Sequence, residues 1–139
     1  MAGRDTDEED AAARGVTFTF DTGMLVALER RKRRATEVWR AIVRRGFLPV
    51  VPAVVYAEWW RGRSDTREEI LAAVIVEDMP PLLCRAAGEA LGAVRGASLA
   101  DAVVMASAAL RGGGVVYTGD LVDLGRLQRH FPTVTVLPI

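Results

Sequence analysis

The chain reads as a single α/β domain built on a mainly parallel sheet. Three observations predict this class. Short apolar runs of β-branched and aromatic residues alternate with segments of helical periodicity from Val16 to the end. The run Leu48–Val51 is wholly apolar, as a strand covered on both faces requires. No repeat and no long linker interrupts the 139 residues, a length suited to one domain, and half of them are apolar, enough for a core.

The elements follow in order. Residues 1–15 are polar and acidic without periodicity and read as a disordered tail outside a 16–139 domain. Strand one covers Val16–Phe20 and stops at Asp21. A helix starts from Thr22, with Met24, Leu25 and Leu28 at helical spacing, and the block Arg30–Arg34 lies at its end, where cations complement the helix dipole. A second helix, Ala35–Arg45, turns Val38, Trp39, Ile42 and Val43 to one side and ends at Gly46. Leu48–Val51 is the next strand, and Pro52 opens a helix reaching about Arg61. Arg67–Val74 is a short helix, and Ile75–Met79 a weak strand stopped by Pro80-Pro81. Leu82–Arg95 is helical, with Leu83, Ala87, Leu91 and Val94 on a stripe. Ser98–Arg111 is a small-residue helix suited to close packing. Val115–Tyr117 is a strand, Leu121–Arg129 a helix and Val134–Leu137 the last strand.

Lys and Arg total 18, as do Asp and Glu, so the net charge is zero. The sum hides an asymmetry. Residues 1–15 hold Asp5, Asp7, Glu8, Glu9 and Asp10 against Arg4 and Arg14, which leaves the rest of the chain at +3. Arg30, Arg31, Lys32, Arg33 and Arg34 concentrate that charge and form a field suited to nucleic acid or an acidic partner. The plain alternative is a solvated turn. Cys84 is the single cysteine, so no internal disulfide framework exists, and its apolar neighbours suggest a buried small hydrophobe. No apolar run is long enough to span a membrane, and the acidic start is no secretory signal. The expected setting is soluble, reducing and cytoplasmic.

Four acids stand in loaded positions: Asp21, Glu58, Asp101 and Asp120. Each has a bland explanation. Asp21 and Asp120 can cap helices, Asp101 completes a capping-box-like Ser98-x-x-Asp101, and Glu58 can face solvent. The joint placement says more. Asp21 and Asp120 both follow apolar strands and so share one edge of a parallel sheet. Glu58 lies among Tyr56, Trp59 and Trp60, an apolar setting for an acid. Asp101 opens a deeply packed helix. Clustered carboxylates repel one another unless a cation neutralises them, and oxygen donors suit Mg²⁺ or Mn²⁺. Zinc is disfavoured with one histidine, His130, and one cysteine. Gly112-Gly113-Gly114 lacks the Lys-Ser/Thr of a phosphate loop. Trp59 and Trp60 point about 100° apart on their helix, so they cannot both face one core: one lies in the core, and the other either meets a partner or dimer contact or is partly buried under a neighbouring helix.

The segments FDTGMLVALER, VPAVVYAEWWRG, SLADAVVMASA and VYTGDLVDL, in this order and spacing, resemble PIN-domain proteins, and more narrowly the VapC-type ribonuclease toxins of toxin–antitoxin pairs. The resemblance spans roughly Val16 to Ile139. It implies a three-layer α/β/α sandwich and Mg²⁺- or Mn²⁺-dependent endonucleolysis of RNA by a metal-activated water. The family's acids fall on Asp21, Glu58, Asp101 and Asp120, with Asp123 auxiliary and all five as candidate metal ligands. Its supporting hydroxyl falls on Thr118. Many relatives carry a further acid just before the Asp-Ala pair, where this chain has Ser98-Leu99-Ala100. The resemblance also implies a homodimer, a cognate antitoxin, and RNA held at Arg30–Arg34. Two other readings remain. One is a catalytically silent RNA-binding or regulatory module on the same fold. The other is an aspartyl-phosphate phosphatase, which needs an early Asp-x-Asp where this chain has Asp21-Thr22-Gly23.

Overall fold

A computed structural model describes residues 17–139. The acidic segment 1–15 and Val16 lie outside the described residues. Five strands form one sheet: β1 (Thr17–Phe20), β2 (Val50–Pro52), β3 (Ile75–Glu77), β4 (Gly114–Thr118) and β5 (Val134–Pro138). Their order is β3-β2-β1-β4-β5, and every pair is parallel. Seven helices connect them: α1 (Thr22–Glu29), α2 (Arg33–Arg44), α3 (Ala53–Trp59), α4 (Asp65–Leu71), α5 (Pro81–Ala93), α6 (Leu99–Leu110) and α7 (Leu121–Gln128).

Chain order and strand order together assign the layers. From β1 the chain moves outward through β2 to β3, then crosses back to β4 and moves outward to β5 on the other side. Right-handed crossovers put α1–α4 on one face and α5–α7 on the other. The direction reverses between β1 and β4, and the carboxyl ends of those two strands form the crevice where open α/β sheets bind ligands.

The core packs tightly beneath that crevice. Phe18, Phe20 and Val116 fill the sheet against Met24, Leu25 and Leu124, all buried. In α6, Ala102, Val103, Val104, Met105, Ala106 and Ala108 are completely buried. A helix apolar on all sides must be covered on all sides, and its alanines allow α5 and the sheet to approach closely. Each buried Val, Leu, Phe or Met contributes about 1.5–3 kcal/mol.

Several boundaries differ from the sequence reading. The second strand is Val50–Pro52 rather than Leu48–Val51, and Pro52 caps α3 from the strand end. Helix α4 begins at Asp65, because the Ser64 side chain accepts from Arg67 N–H. Helix α2 begins at Arg33, so the basic block is not one helix end. Arg30 caps α1; Arg31 takes φ +56° and Lys32 N–H bonds back to Ala27, which together close α1 in a Schellman motif. Arg33 and Arg34 then open α2, where the dipole disfavours cations. Cys84 is exposed, not buried: Leu83 turns inward and its neighbour turns out. Trp59 is the buried member of its pair, with Nε1 donating to Glu29 at 2.9 Å, while Trp60 is half-buried. No helix among the described residues is long and apolar enough to cross a membrane.

Candidate metal and RNA cleft

Asp21 leaves β1 at the switch point and caps α1. Its Oδ1 accepts from Met24 N–H at 2.7 Å, and its Oδ2 accepts from the Thr118 hydroxyl at 2.5 Å. Thr118 ends β4, so this bond ties the two central strands together at their carboxyl ends. The same hydroxyl oxygen accepts from Asp120 N–H at 2.7 Å. Asp120 in turn caps α7, accepting from Asp123 N–H at 3.1 Å. Asp101 lies in the first turn of α6, where Ser98 accepts from its N–H at 3.2 Å. For Asp21 and Asp120 the capping explanation and the clustering explanation both hold; Asp101 is held by the Ser98 cap without returning a bond of its own. Asp21 and Asp120 cap their helices, and the Ser98 cap fixes the first turn of α6, so three carboxylates from the starts of three helices face one crevice.

Asp21, Asp101 and Asp120 line a single cleft of about 670 Å³. Arg30, Lys32, Arg33 and Arg34 line the same cleft along α1 and the start of α2. Arg31 does not; it lines the neighbouring groove between α2 and α4. Glu58 is exposed rather than set among apolar groups, because the two tryptophans beside it turn away. It accepts a hydrogen bond from the Thr22 hydroxyl, which tethers α3 to the start of α1. Neither Glu58 nor Asp123 lines the cleft. Both still act on it, since their charges reach Asp101.

The electrostatics record the crowding. Burial pushes the Asp21 carboxyl above its ordinary value, opposed by the Thr118, Met24 and Gly119 hydrogen bonds and reinforced by the charge of Asp101. Burial also raises Asp101, opposed by its Ser98 bond and reinforced by Asp123, Asp120 and Glu58. Asp120 is held below the usual range by hydrogen bonds from the Asp123 backbone and side chain. Asp123 is raised by the same bond and by the Asp120 charge.

Among the described residues, no group of three or more His, Cys, Asp or Glu side chains is arranged to hold a metal ion as it stands. The donor chemistry nevertheless fits a hard divalent cation. Every candidate donor is a carboxylate or hydroxyl oxygen, and their mutual repulsion is what a cation relieves. His130 meets Phe131 edge-to-face just past the end of α7 and does not line the cleft.

No family model matches the chain, and no curated protein matches it. Solved structures do match. VapBC2 from Rickettsia felis, solved bound to a DNA fragment from their promoter, superposes with TM-score 0.69 at 10% identity, over 89% of this chain and 99% of that one. DNA-bound VapBC from Salmonella typhimurium gives 0.65 at 16% identity over 88% and 98%. A toxin–antitoxin complex from Klebsiella pneumoniae gives 0.62 at 16% identity over 86% and 96%. The fold is that of a VapC-type PIN domain. In this fold the switch-point crevice, the capped acids and the β1–β4 bond through Thr118 are features of one architecture. Two features of the cleft's surroundings carry no signal in the sequence. Thr22 carries no signal until α3 is placed beside it. The division of the basic block needs the Arg31 turn.

Proposed function

We propose that the chain is a metal-dependent endoribonuclease and the toxin of a toxin–antitoxin pair. One observation carries the reading: a single cleft with Asp21, Asp101 and Asp120 at its head and Arg30, Lys32, Arg33 and Arg34 along its wall. Asp21, Asp101 and Asp120 would hold Mg²⁺ or Mn²⁺, with Glu58 and Asp123 assisting from its margin. A divalent cation bound there supplies Lewis-acid charge for phosphodiester hydrolysis.

The chain's own residues prepare that chemistry. Thr118 holds Asp21 and the Asp120 backbone in fixed relation. The buried Asp21 keeps one carboxylate away from competing water. Arg30, Lys32 and Arg34 have no ion-pair partner among the described residues, and Arg33 has only the exposed Glu37 at 3.0 Å. Exposed pairs of that kind are worth little, so all four cations are available to phosphates. Such contacts orient a strand without reading its bases. Beyond the cleft, Trp39 lies half-buried with its Nε1 unpartnered, in a groove of about 680 Å³ beside Arg40, Val43 and Glu69. We assign that groove to an antitoxin segment. Homodimer formation is part of the same proposal.

The test is cleavage of pooled cellular RNA by purified protein with Mg²⁺, with Mn²⁺ and with chelator, wild type beside Asp21→Asn. Discrete metal-dependent cuts that vanish in the variant are the expected result. Folded wild-type protein that binds the RNA pool yet cuts nothing in either metal identifies a silent RNA-binding module instead.

A further inference from the structure

Gly23 sits in the first turn of α1, and Gly119 between β4 and α7. Neither has a positive φ, so neither needs to be glycine for its backbone conformation. At a helical position such as Gly23, alanine is favoured by up to about 1 kcal/mol. Space is what demands glycine at both. A Cβ on Gly23 would lie 3.2 Å from both Cα and N of Gly119, and 3.4 Å from Asp21 Oδ1. A Cβ on Gly119 would lie 3.3 Å from Cα of Gly23. The obstacle in each case is backbone, which cannot swing aside as a flexible side chain does.

We propose that Gly23 and Gly119 are positioning residues whose backbone contact sets the separation of the Asp21 and Asp120 carboxylates, and with it the cation affinity and selectivity of the cleft. The proposal rests on the metal-dependent reading above. Asp21 stands two residues before Gly23, and Asp120 immediately follows Gly119. A Cβ on Gly23 would also touch Asp21 Oδ1, so the contact borders the carboxylate itself. A Cβ at either glycine parts the two loops by a few tenths of an ångström. Mg²⁺ demands near-ideal octahedral geometry at about 2.0–2.1 Å, whereas Ca²⁺ accepts variable geometry at about 2.3–2.6 Å. A small widening therefore penalises the smaller ion more.

The experiment measures Mn²⁺ binding by electron paramagnetic resonance, with Mg²⁺ and Ca²⁺ as competitors, on wild type, Gly23→Ala, Gly119→Ala and Gly125→Ala. Gly125 lies in α7 with open space at its Cβ and serves as the control. Disturbing the partners that orient metal ligands typically costs about 10–100-fold in affinity. The expected result is a loss of about tenfold or more in Mn²⁺ and Mg²⁺ affinity for both loop variants and a smaller loss for Ca²⁺. Gly125→Ala should match wild type, and circular dichroism should show all variants folded without metal. Wild-type binding with unchanged affinity in both variants overturns this inference alone. Equal losses for Mg²⁺ and Ca²⁺ overturn it too. If one variant fails to fold, the other decides; failure of both assigns the contact to folding and overturns the proposal. Wild-type protein that binds no Mn²⁺ overturns the metal-dependent reading itself, and this inference with it.

Discussion

Replacing Thr118 by valine tests the centre of the cleft. The two side chains have nearly the same shape, so packing is preserved while one hydroxyl is lost. That hydroxyl is buried, donates to Asp21 at 2.5 Å and accepts from Asp120 N–H at 2.7 Å. A buried bond to a charged group contributes about 1.5–3 kcal/mol, and a neutral one about 1 kcal/mol. The substitution leaves both partners behind, so their desolvation is no longer offset. The expected loss is about 2.5–4 kcal/mol, or roughly 10–15 °C in Tm for a domain of this size. Thermal unfolding in chelator at neutral pH measures it. Thr118→Ser is the control, since it keeps the hydroxyl and loses one methyl, about 1 kcal/mol. Activity adds a second readout. The Thr118 bond lowers the Asp21 pKa against the effect of burial. Without it Asp21 stays protonated to higher pH, and the pH at which metal-dependent cleavage begins moves upward. A valine variant within about 1 kcal/mol of wild type, with an unmoved pH profile, would refute the reasoning.

Further outcomes follow from the same geometry. Asp21 is raised in the folded state, chiefly by burial, so its contribution to metal-free stability is present below the ordinary carboxylate value and lost as pH rises through the raised one. Asp21→Asn removes that loss: in chelator, unfolding midpoints of the variant should gain on wild type as pH climbs from about 4 towards neutrality, while cleavage disappears. Combined replacement of Arg30, Lys32 and Arg34 by alanine should weaken single-stranded RNA binding for all sequences alike. The slope of log affinity against log salt should then shrink by about 2, from roughly 0.7 per lost phosphate contact. Fluorescence anisotropy over a salt series checks both. Arg31 holds φ +56° where glycine is usual, so Arg31→Gly should raise stability by about 1 kcal/mol in denaturant unfolding.

The acids themselves were readable because strand ends are readable. Asp21 after Phe20 and Asp120 after Thr118-Gly119 follow apolar runs, and in a parallel sheet such positions share an edge. Asp101 was readable for the same local reason, an acid in the first turn of an Ala/Val helix. Glu58 lies on the expected helix but outside the apolar setting its neighbours suggest. Adjacent residues on a helix point about 100° apart, so Trp59 can be buried while Glu58 is exposed. For the same reason Cys84 is exposed beside the buried Leu83.

The sequence by itself determined the α/β class, the alternation of strands and helices, and which acids follow strands or open helices. Those properties depend on local periodicity and on which residue follows a strand. Tertiary structure alone decided how the strands are ordered and hence where the chain reverses direction. It decided that Thr118 bonds Asp21 across 97 positions of sequence. It decided that four of five basic residues share a cleft with the acids while Arg31 faces elsewhere. And it alone brought Gly23 against Gly119. Contacts between residues far apart in the chain leave no periodicity to read, because what selects them is the space left when the whole core has packed.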